Sequence, residues 1–248
     1  MRFRVANSKR LVIGVVVFTL FGCFGNVKDV NYYQLDYVPT PMSMVNDVVY
    51  PYTVRVKDFD VAEAYRRNNI VYRQSPYELR FYNYEQWVAR PEYLVADMLF
   101  RHLEAAKIFS EIRRSVDSEE PDFIISGTIR ALEEYDNQDE WYAHLAINMF
   151  LHDYKMKKVI WSKEWAYRKK VSNLETIYVV RGLSELLERI NNEAITDIDS
   201  IMRTKFAMPA KMPAPIMPAA APVVPVVPAP IARDSIELEV LPPPGEIE

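Results

Sequence analysis

Few residues in this chain have the type and spacing to do chemistry. There is one cysteine, Cys23, so an intramolecular disulfide and a two-cysteine metal or redox pair are both excluded. His102 has no partner nearby at metal or triad spacing, which favours a packed histidine over a ligand or acid–base group. Glu133 and Glu134 have no counterpart at a defined separation from which glycoside hydrolysis could be argued. The cluster Asp136-Asn137-Gln138-Asp139-Glu140 lacks the glycine and the regular ligand spacing of a calcium loop, so it reads as a solvated turn. No glycine-rich loop precedes Lys-Ser or Lys-Thr, and there is no His-Glu-x-x-His and no Gly-x-Ser-x-Gly. The expectation is no enzyme, no catalytic residue, no metal site and no cofactor. What remains is recognition chemistry, concentrated in Ile70–Pro91. Within it Tyr72, Arg73, Trp87 and Arg90 are candidate partner contacts, because Tyr, Trp and Arg dominate binding energy at interfaces. The same side chains could instead line the groove between a sheet and a helix, with Trp87 buried.

The elements that must position them follow from periodicity. Ile70–Arg73 and Tyr77–Tyr84 have β-branched and aromatic composition, and Gln74-Ser75-Pro76 suits the turn of a hairpin. Pro91 is placed to open a helix, and Leu94, Val95, Met98, Leu99, His102, Leu103 and Ala106 form one face of a helix over 92–107. Tyr32–Tyr37 and Tyr52–Lys57 read as strands, with Tyr52, Val54 and Val56 on one face of the second. Ile108–Ile112 is a short strand. Residues 122–134, 141–151 and 159–167 are extended runs with short polar connections, the pattern of an antiparallel meander. Gly127 suits a bulge or a close approach of backbone. Asn173 can cap a helix over 174–202 whose stripe is Leu183, Leu186, Leu187, Ile190 and Ala194. The fold class expected is α/β (α+β): a single domain, a largely antiparallel sheet with two helices packed on one face, and a Pro-rich tail.

The two ends differ from this middle. Residues 1–10 are basic and Leu11–Phe21 is a short apolar run ending in Gly22-Cys23, the pattern of a secretory signal too short to span a membrane. A small residue just before a cysteine resembles a bacterial lipobox, with Phe21 bulkier than such sites usually show. The resemblance implies a diacylglyceryl group on the Cys23 sulfur, cleavage after Gly22, and firm attachment to a membrane. An uncleaved N-terminal anchor with unmodified Cys23 is the alternative. Phe24, in place of an Asp that resembles an inner-membrane retention signal, points to the outer membrane. Net charge is −4, and −8 without residues 1–22, which hold Arg2, Arg4, Lys9 and Arg10 and no acid. That balance argues against nucleic-acid binding. Residues 208–230 are Pro, Ala, Met and Val with almost no charge, so the reading is of a tail that packs no core. The organisation expected is a lipoprotein signal peptide at 1–22, a tether at 23–30, the folded domain at 31–205 and the Pro-rich, disordered tail at 206–248.

The run Ile-Val-Tyr-Arg, then Tyr-Glu-Leu, then an aromatic patch ending in Trp87 and a Pro-started helix, resembles the ABC-type transport auxiliary lipoproteins. The Tyr32-Tyr33-x-Leu35 opening and the Val159-Ile160-Trp161 return agree, and the resemblance covers roughly 32–202. These proteins accompany lipid-trafficking systems built around MCE (mammalian cell entry) domain proteins. The resemblance implies a lipid-anchored, non-catalytic adaptor in the bacterial envelope, facing the periplasm. Its partners would be an MCE-domain protein with its ABC permease and ATPase, and the membrane through the lipid on Cys23; further copies of the chain stay open as partners. Two other readings stay open: a structural or regulatory envelope lipoprotein, such as a cell-wall synthase activator, and a lipid-binding carrier.

Overall fold

The computed structural model describes residues 28–39, 49–114, 119–137 and 140–206. The alternating runs become strands β1 (Asn31–Tyr33), β2 (Tyr50–Val56), β3 (Asp60–Val61), β4 (Asn69–Ser75), β5 (Glu78–Trp87), β6 (Phe109–Arg113), β7 (Phe123–Asn137), β8 (Glu140–Asp153) and β9 (Lys158–Lys170). The 3.6-residue patterns become helices α1 (Pro91–Ala106) and α2 (Thr176–Lys205). Residues 1–27, Cys23 among them, 40–48, 115–118, 138–139 and those from 207 onward lie outside the described residues.

Strand β7 is the spine of one curled, mixed sheet. Along one edge it pairs antiparallel with β8 from Phe123–Asp153 to Asn137–Glu140, and β9 pairs antiparallel with β8. Along its other edge three parallel strands follow one another: β2 at Phe123–Ile125, β3 at Thr128–Ile129 and β4 at Glu133–Tyr135. The hairpin partner β5 is antiparallel to β4, β1 lies parallel on β5, and β6 lies parallel on β2. The long pairings are therefore antiparallel, as the meander and the hairpin predict, and the short ones are parallel. A parallel neighbour arrives through a crossover and leaves no tight-turn signal, so the parallel share of the sheet was invisible locally. The class is α+β.

A bulge in β7 decides what each face carries. The pairing with β8 slips between Ile129 and Ala131, leaving Arg130 as the extra residue. Before it Phe123, Ile125, Gly127 and Ile129 face the helices; after it Leu132 and Glu134 do, opposite Leu145 and Ala143. One inserted residue exchanges the faces of everything beyond it. The other face, here the outer face, then takes Ala131, Glu133 and Tyr135.

Both helices pack on the inner face. Helix α1 opens on Pro91 and buries Val95, Ala96, Met98, Leu99, His102, Leu103 and Ala106. Helix α2 buries Val179, Val180, Leu183, Leu186, Leu187, Ile190, Ala194, Ile195, Ile198 and Met202 against β8 and β9. It begins at Thr176 rather than at 174, and no side chain caps it; Asn173 Oδ1 instead accepts the Leu174 N–H at 2.8 Å, in the turn before the helix. Asn191, buried in α2, ties the layers together. Its Nδ2 donates to the Tyr37 hydroxyl at 2.6 Å, leaving that hydroxyl to donate to His102 Nδ1 at 2.9 Å. His102 is thus a packed histidine, and burial holds it below its ordinary pKa. At the far end of α2, Phe206 packs edge-on against Tyr52 and Phe123.

Gly127 is a close approach. A methyl group there would run into the ring of Phe59 and come within 2.7 Å of the Asn148 carbonyl oxygen on β8. Overpacking of this kind costs about 1–3 kcal/mol. Gly127→Ala should lower the urea midpoint accordingly, and an unchanged midpoint would contradict the packing.

Candidate functional site

The chemistry-bearing residues gather on the outer face, around Glu133. Its side chain is 1% exposed and receives four hydrogen bonds. Arg73 Nε donates to its two oxygens at 2.9 and 3.0 Å, the Tyr65 hydroxyl donates to Oε2 at 2.5 Å, and His144 Nδ1 lies 2.9 Å from Oε1. Each comes from a different element: Arg73 from β4, His144 from β8, and Tyr65 from the short 3-10 turn Glu63–Tyr65 laid over the sheet. Arg73 is held further by the Tyr65 hydroxyl (3.2 Å) and the Pro76 carbonyl (3.2 Å), which fixes the β4–β5 turn. Burial pushes the Glu133 carboxyl up, but the donors His144, Arg73 and Tyr65 together hold it below its usual range.

Its neighbour Glu134 points to the opposite face and has the opposite fate. It is fully buried and accepts the Tyr82 hydroxyl at 2.9 Å, and among the described residues its Oε2 has no partner. Burial raises its pKa to about 7, with Asp136 adding to the rise. A carboxyl whose folded pKa lies above its unfolded one is protonated longer in the native state. Its contribution is therefore fully present below about pH 4.5 and lost as pH rises to about 7. Glu134→Gln mimics the protonated form. It should raise stability at pH 8 by roughly 1–3 kcal/mol and flatten the fall between pH 4.5 and 7; a variant as pH-sensitive as the parent would reject this assignment.

The outer face carries the Glu133 hub into a groove of about 460 Å³. Its floor is a row of three alanines in register across three strands, Ala131, Ala146 and Ala166. One wall is the row Glu133, His144, Arg168, and the other is Arg130 with Glu164, which Arg130 reaches at 2.7 Å. Arg168 stacks its guanidinium over Tyr135, 4.1 Å from the ring centroid. Asn148 Oδ1 is buried with no hydrogen-bond partner among the described residues. A second, wider cleft of about 860 Å³ lies at the other end of the same face, lined by Lys57, Asp60, Ser126, His152 and Lys157 among others. There Ser126 Oγ and His152 Nε2 are 2.8 Å apart. Burial, and Lys57 beside it, hold His152 below its ordinary pKa. Among the described residues no carboxylate orients that histidine, so the pair lacks the third member of a nucleophile relay.

The four candidate contacts occupy one stretch but not one surface. Arg73 belongs to the Glu133 hub on the outer face. Tyr72 lies on the other side of β4, its ring 4.5 Å from that of Tyr82. Trp87 is 1% exposed and is packed in the core rather than presented; a three-residue irregularity in β5, where Asn69 pairs with Gln86 but Val71 with Phe81, turns it inward. Arg90 flanks the first turn of α1, pairing with Glu92 at 3.1 Å and donating to the Tyr93 hydroxyl at 2.7 Å. Tyr65, His144 and the alanine row carry no spacing signal that would have assembled them. The one legible trace was the shift of apolar positions from Phe123, Ile125 and Ile129 to Leu132, which marks the bulge.

The family model for the ABC-type transport auxiliary lipoprotein component matches residues 33–194, from the end of β1 into the second half of α2. The chain belongs to this family. Two solved structures share the fold. One is a Xanthomonas campestris protein assigned to DUF330, at 19% identity and TM-score 0.60 over 68% of this chain and 96% of that one. The other is an uncharacterized protein, at 13% identity and TM-score 0.55 over 69% and 99%. No curated protein sequence matches significantly. Family membership gives the coarse function, an auxiliary lipoprotein of ABC-type transport in the cell envelope, and a non-enzymatic role accords with it.

Proposed function

We propose that this auxiliary lipoprotein is a non-catalytic adaptor of an ABC/MCE-type lipid transport system. It would be anchored through acyl chains on Cys23 in the outer membrane, facing the periplasm. The observation that carries this reading is the family match, which spans nearly the whole described domain. The architecture supports a docking role: helices seal one face of the sheet, while the outer face of β7–β9 leaves Ser162, Glu164, Ala166 and Arg168 exposed beside a groove. Of the sequence candidates, Arg73 would form part of that groove's wall, and Tyr72, Trp87 and Arg90 lie elsewhere. Both clefts are open and lined by charged side chains, which suits a protein partner better than enclosed acyl chains.

The test is affinity purification of the acylated chain from native envelope, followed by mass spectrometry. Co-purification of an MCE-domain protein and a permease supports the proposal. Recovery of a peptidoglycan synthase in their place supports a regulatory envelope lipoprotein. Phospholipid retained by the domain without either would support a carrier.

A further inference from the structure

The tether is short enough to decide which side of the domain meets the membrane. Lys28 is the first described residue, five Cα-to-Cα steps along the chain from Cys23. At roughly 3.3–3.6 Å per residue the chain between them reaches at most about 18 Å. Strand β1 begins three residues later, on the outside of β5. The surface around this edge has the composition of a membrane interface. Tyr32 is 63% exposed, Val88 50% and Tyr84 40%. They are neighbours, since Tyr32 pairs with Gln86 and the Val88 N–H bonds the Tyr33 carbonyl at 2.8 Å. Two cation–aromatic pairs flank them: Lys28 lies over Tyr84, 4.9 Å from the centroid, and Arg90 over Tyr93, 5.1 Å away.

We propose that the β1–β5 edge, through Tyr32, Tyr84 and Val88 with Lys28 and Arg90, rests on the phospholipid surface to which the chain is anchored. The inference rests on the acylation of Cys23. Aromatic rings are favoured at headgroup depth because one end is apolar and the other polar, and long basic side chains bury their stems while keeping the charge in water. The local charge is balanced: Asp29 and Glu85 sit on the same edge, with Glu85 bound to Asn31 and the Tyr33 hydroxyl, and Glu92 pairs with Arg90. Contact should therefore not require anionic lipid. The contact is confined to the end of β5 that β1 covers; the hairpin tip at Tyr77, 99% exposed, lies at the opposite end of the strand, about 23 Å from Tyr84.

The single native cysteine makes the test direct, because acylation leaves no free thiol. The full-length acylated protein is reconstituted into phosphatidylcholine vesicles containing brominated phosphatidylcholine, with one bimane label attached through Tyr84→Cys, Val88→Cys or, as reference, Tyr77→Cys. Folding is checked for each by its melting transition. The expected result is strong quenching at 84 and 88 and little at 77, unchanged when one third of the lipid is replaced by phosphatidylglycerol. Vesicle-bound protein with equal quenching at all three sites, or none at 84 and 88, overturns the proposal while leaving the anchor intact. A parent chain that takes up a thiol label at Cys23 and fails to float with the vesicles refutes the acylation, and the proposal falls with it.

Discussion

Arg73→Ala should destabilise the domain by about 3–5 kcal/mol, the usual consequence of removing one partner from a buried pair. The Arg73 side chain is 22% exposed and that of Glu133 only 1%, so the substitution strands a carboxylate beneath the 3-10 turn. Tyr65 and His144 would remain as donors, which places the expected loss nearer the lower figure. A double substitution separates charge from packing. In a Glu133→Gln background the same Arg73→Ala change should cost much less, because no charge is left behind. The acid limb gives a second readout. Glu133 has a depressed folded pKa, so its contribution exists above the unfolded value near 4.5 and vanishes as pH falls through the folded one. Arg73→Ala should weaken that acid-sensitive step. A loss below 1 kcal/mol in urea unfolding would make the pair an ordinary surface ion pair.

Trp87→Ala should be as severe, about 3–5 kcal/mol. The indole is among the largest fully buried side chains, at the end of β5 where Tyr33 pairs with it. Trp87→Phe keeps most of the apolar area and should lose considerably less. If Trp87→Ala melted like the parent, the side chain would have to be solvated. These two expectations matter for function: loss of partner binding by either variant has to be read against its folding, whereas substitutions at Ala166 or Arg168 change the outer face without entering the core.

How far the sequence reveals the fold depends on the range of the cause. Helix α1, read at 92–107 and found at 91–106, rests on an apolar stripe and on Pro91, both local. The meander is legible because β7, β8 and β9 follow one another through short polar turns. Strand β1, read at Tyr32–Tyr37, is found only at Asn31–Tyr33, and β3 is two residues long; their partners, β5 and β7, are encoded by no local pattern. The candidate site shows the same division. Arg73 stood out by residue type, but its partner Glu133 lies 60 positions away, and a bulge at Arg130 alone puts that carboxylate on the outer face. Trp87 was legible as a large apolar residue, and its burial follows from an irregular pairing that composition does not record.

The measurement that bears most directly on the adaptor role is site-specific photo-crosslinking in intact envelopes. A crosslinking side chain at Ala166, on the floor of the outer-face groove, should capture an MCE-domain protein. One at Thr196, exposed on the solvent side of α2, should not. Capture from Thr196 and not from Ala166, or capture from Ala166 of nothing but another copy of this chain, would contradict docking through the outer face.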